Sequence, residues 1–130
     1  MIALDTHIVI WLGEDSSRIS STARHVIDEA GTTGQSMVVS AISLFEIVWG
    51  ILRGRIQSSL PVDELLVRIE RQFTIRSVSS AIAQTAAQLP STFPSDPFDR
   101  IIAATAIVEG LPLVTADRNI RRSRALRTLW

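Results

Sequence analysis

With 130 residues, 46% of them hydrophobic and 20% charged, the chain is expected to form one soluble, cytoplasmic globular domain over residues 1–130. No apolar run reaches the roughly 18 residues of a membrane span, "MIALDTHIV" lacks the positive region of a signal peptide, and the absence of cysteine excludes disulfides, zinc ribbons and thiol nucleophiles. The net charge is zero, yet all thirteen cations are arginine, and five of these fall between Arg118 and Arg127.

Met1 to Leu4 is a short apolar run of the length of a buried strand. "SSTARHVIDEAG" follows with a serine start, helical periodicity and Gly31 as its stop. "SMVVSAI" is β-branched and predicts a second strand, and "SLFEIVWGILRG" a helix, apolar nearly all round, that closes at Gly54. Pro61 opens a helix, "PVDELLVRIERQ", with apolar residues at 62, 65, 66 and 69. "FTIRSV" alternates like a strand, and "SSAIAQTAAQL" is an alanine-rich helix ended by Pro90. "DPFDRIIAATAIVEG" predicts a long helix and "LPLVTA" a strand. A short helix near Asn119 to Arg122 and a last strand, "ALRTLW", complete the chain. Short apolar strands alternating with helices predict an α/β domain with a mainly parallel sheet.

In an open parallel sheet, ligands gather outside the carboxyl ends of the strands. Asp5 follows the first strand and Asp117 ends the fourth run, "LVTAD". Glu46 lies early in the helix after the second strand, and Asp99 in the first turn of the helix that leads to the fourth. Each acid also fits a structural role. Asp5 and Asp117 suit N-caps, Ser43 to Glu46 matches a capping box, and Asp96-Pro97-Phe98-Asp99 reads as N-cap, proline at N1 and an acid favoured by the helix dipole.

Considered as a group, the acids point elsewhere. Glu46 is surrounded in sequence by Leu44, Phe45, Ile47, Val48 and Trp49. Four carboxylates in one cleft repel each other, by several kcal/mol for a pair ~4 Å apart at an effective dielectric near 20. Either some carry protons or a cation sits among them. Oxygen donors without a histidine pair or cysteine favour Mg²⁺ or Mn²⁺ over zinc. Such a centre suits phosphate chemistry, with arginines nearby to hold a polyanion.

"MIALDTHIVIWL", "SAISLFEIVWG", "DPFDRIIAATA" and "LPLVTADR" together resemble successive motifs of the PIN domain, and more narrowly the VapC-type ribonuclease toxins of toxin–antitoxin pairs. The resemblance runs from Met1 to the C-terminal "LRTLW". It implies a three-layer α/β/α domain, Mg²⁺- or Mn²⁺-dependent hydrolysis of RNA, a cognate VapB-like antitoxin and a homodimer. Carried over by position, it makes Asp5, Asp99 and Asp117 metal ligands, with Glu46 acting through a bound water. Thr6 and Thr115 would support the neighbouring acids, and Asp96 would cap or assist.

His7 invites a general-base role, but helical geometry is expected to turn it from Asp5. Trp11 and Trp49, with Ile8, Leu12, Leu52 and Ile56, are candidates for an antitoxin groove or for core, and Trp130 for packing or an interface. A receiver-like signalling domain is excluded by the lack of lysine. The alternatives that stay open are a non-catalytic RNA-binding or regulatory module, with the acids as helix caps, and a DNA nuclease.

Overall fold

The computed structural model describes residues 1–130. In chain order it contains β1 (Ile2–Leu4), α1 (Thr6–Glu14), a 3-10 turn (Ser16–Arg18), α2 (Ser21–Thr32), β2 (Met37–Ser40), α3 (Ala41–Leu52), α4 (Val62–Gln72), β3 (Thr74–Arg76), α5 (Ser80–Ala87), α6 (Pro97–Glu109), β4 (Leu113–Val114), α7 (Arg118–Ser123) and β5 (Thr128–Leu129). The five strands form one sheet in the order β3-β2-β1-β4-β5, and every pair is parallel. The chain leaves β1 on one side to build β2 and β3, then returns to its other side for β4 and β5. The strand order therefore reverses between β1 and β4, the place where an open α/β sheet opens a crevice.

Side chains alternate across a strand, so each short apolar run feeds two cores. Ile2, Leu4, Val39 and Val114 pack with Ile8 and Val9 of α1, Ala23 and Ile27 of α2, and Ile69 of α4. Ala3 and Leu113 face the opposite layer, where Ile102, Ala103 and Ala106 of α6 meet Ile120 of α7. The α3 helix reaches both layers, Ile47 joining the first core and Ile42 the second. Ile82 and Ala86 attach α5 to Ala104 on α6. The result is a three-layer α/β/α sandwich around a wholly parallel sheet. No helix is long and apolar enough to cross a membrane.

The α6 helix follows its local signals throughout: Asp96 caps it, Pro97 opens it, and Gly110 ends it at φ 68°. Elsewhere the boundaries move. Gly31 does not stop α2, which runs on to Thr32 and closes when the Thr33 N–H and hydroxyl both donate to the Glu29 carbonyl. The helix predicted from Ser43 begins at Ala41, because Ser40 is its N-cap. A helix not delimited in the sequence, α1, occupies Thr6–Glu14. The strands predicted from "FTIRSV", "LPLVTA" and "ALRTLW" contract to Thr74–Arg76, Leu113–Val114 and Thr128–Leu129.

Candidate active site

The parallel sheet brings several helix starts to one edge. Helices α1 and α7 begin at the carboxyl ends of β1 and β4, on either side of the switch point, and α3 begins at the carboxyl end of β2. The α6 helix runs back towards the start of β4, so its first turn lies at this edge too. Asp5, Glu46, Asp99 and Asp117 are thereby placed on the edge expected of them, with Asp96 beside them.

Asp5 is the best-anchored of the four, at 3% exposed. Its Oδ1 accepts from the Thr6 N–H at 2.8 Å, which caps α1, and its Oδ2 accepts from the Thr115 hydroxyl at 2.7 Å. The same Thr115 oxygen accepts from the Asp117 N–H at 3.1 Å. Thr115 thus ties the end of β1 to the end of β4 and holds two acids in fixed relation. Thr6, also buried, donates to Ser43 Oγ at 2.9 Å and so joins α1 to α3. Ser43, read from sequence as a cap, is instead an interior partner, and its role rests on a contact 37 residues away.

His7 does not turn away as expected. Its ring leans over the β4 end, where Nε2 accepts from the Ala116 N–H at 3.1 Å and Nδ1 lies 3.6 Å from Asp5 Oδ2. With Nε2 accepting, the ring proton sits on Nδ1 and faces the carboxylate. Trp11 packs against the ring at 4.8 Å and touches Trp130 in turn. Ile8 is fully buried and drops out of the predicted groove, whereas Trp49 and Leu52 on α3 are exposed.

The structural role suggested for each acid holds at Asp5, Asp96, Asp99 and Asp117 and fails at Glu46. Asp5 caps α1. Asp96 caps α6, accepting from the Phe98 N–H at 2.8 Å, and Asp117 caps α7, accepting from the Asn119 and Ile120 N–H groups. Glu46 caps nothing, since α3 starts at Ser40 and leaves it in the second turn. Its Oε1 is buried without a hydrogen-bond partner. Burial pushes its pKa up; the nearby Thr6 hydroxyl opposes this, though its proton is donated to Ser43 Oγ, and the charges of Asp5 and Asp96 add to the rise. Asp99 lies in the first turn of α6, as its dipole-favoured role requires, with Asp96 as the cap. Burial, then the charges of Asp5, Asp96, Asp117 and Glu46, push its carboxyl up to about 7.

No three of the acidic or imidazole side chains close on one point at ligand distance in this conformation. What they share is an electrostatic field. An oxygen-only donor set, with an unpartnered buried carboxylate oxygen and a carboxyl driven to hold its proton, suits a hard divalent cation such as Mg²⁺ or Mn²⁺. Replacing Thr115 with valine should test how far this order depends on one hydroxyl. The near-isosteric change leaves the Asp117 N–H unpaired and is expected to cost about 1–3 kcal/mol, measurable by denaturant unfolding.

A family model described as PIN domain matches residues 2–126. A protein named Ribonuclease VapC22, from Mycobacterium tuberculosis, is 38% identical over 131 aligned positions that cover 99% of this chain and 98% of that one. Among solved structures, VapBC2 from Rickettsia felis bound to a promoter DNA fragment superposes with a TM-score of 0.74 at 19% identity, covering 98% of this chain and 97% of its own. DNA-bound VapBC from Salmonella typhimurium gives 0.70 at 23% identity, with 98% and 97% covered.

Proposed function

Because the chain belongs to the PIN domain family, on its VapC branch, we propose that the acid edge is the active site of a divalent-metal-dependent endoribonuclease, the toxin of a toxin–antitoxin pair. The observation that carries this reading is Glu46. A carboxylate oxygen that is buried, unpartnered and free of any capping duty is expensive to keep unless it serves a ligand.

Asp5, Glu46, Asp99 and Asp117 are the residues that would hold Mg²⁺ or Mn²⁺. Such a cation, when bound, makes water acidic enough to attack phosphorus and neutralises charge gathering on the phosphoryl oxygens. The side chains prepare for this in different ways. Thr115 and the Thr6 N–H fix the two oxygens of Asp5 in one orientation. Asp99, raised to about 7, is partly protonated near neutral pH and would have to release that proton to hold a cation. His7 braces the Thr115–Asp117 segment through Ala116 and thereby keeps Asp117 level with Asp5. Asp96 secures the start of α6 and adds to the negative field.

The partners that fit are an RNA substrate, a cognate VapB-like antitoxin, since the solved neighbours are VapBC complexes, and a second copy of the chain. A second reading has its own support, because Asp5, Asp96 and Asp117 do cap helices: a non-catalytic RNA-binding or regulatory module. Incubating the purified chain with cellular RNA in Mg²⁺ or Mn²⁺ and mapping new 5′ ends separates the two. Cleavage at a restricted set of sites, abolished by a chelator, is expected. RNA retained but uncut at every cation concentration would favour the second reading.

A further inference from the structure

Several arginines have evident employment within the fold. Arg76 pairs with Glu109 at 3.0 Å, Arg100 donates to the carbonyls of Pro94, Ala86, Leu89 and Pro90, and Arg18 and Arg53 lie over the rings of Trp11 and Trp49. Those on and just beyond α7 do not. Arg118, Arg121, Arg122 and Arg124 alone line a shallow depression of about 400 Å³. None of them forms an ion pair, and from Arg118 to Trp130 the chain has no acidic residue. Arg121 Nε is buried without a hydrogen-bond partner.

Helix stability does not explain this arrangement. Arg121 and Arg122 stand in the last turn of α7, where the helix dipole welcomes a cation, but Arg118 opens the helix at the end that disfavours one. Arg124 ends α7 at φ 55°, a left-handed position that glycine adopts at less cost. Four like charges are gathered where local energetics alone would disperse at least two of them. An anion relieves that repulsion.

The place is as informative as the charge. Asp117, the last acid of the catalytic edge, is also the N-cap of α7, so the basic depression begins at the next residue. A six-residue helix is about 9 Å long, which keeps the whole depression within roughly two turns of the acids. Arg122 also borders an adjoining hollow of about 480 Å³, to which Ser91, Thr92, Asn119 and Ser123 contribute hydroxyl and amide groups. Guanidinium beside hydroxyl and amide is the chemistry that grips phosphate and contacts sugar.

We propose that the α7 depression is the phosphate track that seats the RNA strand, its arginines holding backbone phosphates adjacent to the bond presented to the acid edge. The nature of the polyanion rests on the ribonuclease reading; the location rests on α7.

The test is a salt series. A short labelled single-stranded RNA is titrated with wild type, with Arg122→Gln/Arg124→Gln, whose positions are both exposed, and with Arg122→Lys/Arg124→Lys. The glutamine variant should bind on the order of tenfold more weakly at low salt. Its slope of log affinity against log salt should flatten by about 1.4, since each phosphate contact on a single strand contributes about 0.7. The lysine variant should keep the wild-type slope, and in cleavage assays the glutamine variant's loss should appear in KM rather than kcat. An unchanged slope in the glutamine variant, or a loss that lysine does not restore, overturns the track. Wild-type RNA binding combined with lost antitoxin binding overturns it as well and assigns the arginines to the protein partner. A wild type that shows the arginine-dependent slope but cuts no RNA removes the ribonuclease reading and supports the track. A glutamine variant that binds and cuts like wild type removes the track and leaves the ribonuclease.

Discussion

Asp5→Asn is expected to lower RNA cleavage by about 10³-fold while leaving the fold in place, the several kcal/mol of transition-state stabilisation that a held divalent cation supplies. Asparagine matches aspartate as an N-cap, so its carbonyl can still accept from the Thr6 N–H. On the other side its amide can donate to the Thr115 oxygen, a hydroxyl with two lone pairs that already serves Asp117. Shape and the α1 cap thus survive; the Thr115 proton and the His7 Nδ1–H lose their acceptor, and the chief loss is negative charge at a position 3% exposed. Far-ultraviolet circular dichroism should stay close to wild type and unfolding should stay cooperative, with a loss of about 1–3 kcal/mol at most for the unpaired Thr115 proton, while single-turnover cleavage collapses. In cells, induction without antitoxin should arrest growth for wild type only. An Asp5→Asn chain that cuts RNA within tenfold of the wild-type rate would remove Asp5, and with it the acid edge, from the chemistry.

The contrast with Glu46 explains why sequence alone leaves the acids ambiguous. Asp5, Asp96 and Asp117 do their structural work with neighbours one to three residues away, and those neighbours can be read directly. The α6 helix was legible from end to end for this reason, as cap, proline and terminal glycine all act locally. The placement of the acids on one edge needed only a parallel sheet. What decides Glu46 is the start of α3: Ser43 carries the local capping-box pattern, yet Ser40 is the cap. Ser43 lies inside the helix, fully buried, and its hydroxyl accepts from Thr6 of α1, a tertiary contact with no signal in the sequence. His7 is the same case at greater separation, since its partner Ala116 comes from the far side of the switch point. Helix α1 was missed because "IVIWL" is apolar at every position and shows no period that separates helix from strand.

The proposed cation site, deprotonated if loaded and partly protonated when free, should show itself in stability, most clearly at Asp99. Its carboxyl is raised from an ordinary 3.8 to about 7, first by burial and then by the surrounding acids. Between those pH values the folded chain holds a proton that the unfolded chain has lost, so this group's contribution to stability is complete below about pH 4 and falls away as pH rises through 7. Asp99→Asn carries no charge at any pH. Without divalent cations the variant should therefore lack this decline and be the more stable protein at pH 8. Discounted for solvent screening of a half-exposed group, the difference is about 2 kcal/mol, or roughly 5–10 °C in Tm. On the proposed reading saturating Mn²⁺ should reverse the order, because a cation held at 100 times its Kd would stabilise the wild type by about 2.7 kcal/mol and the variant would lack the proposed Asp99 ligand. A variant less stable than wild type at pH 8 in chelator would mean that Asp99 makes net favourable contacts in the folded chain. It would then be a structural acid, and the crowding of negative charge invoked for the metal site would not exist at this position.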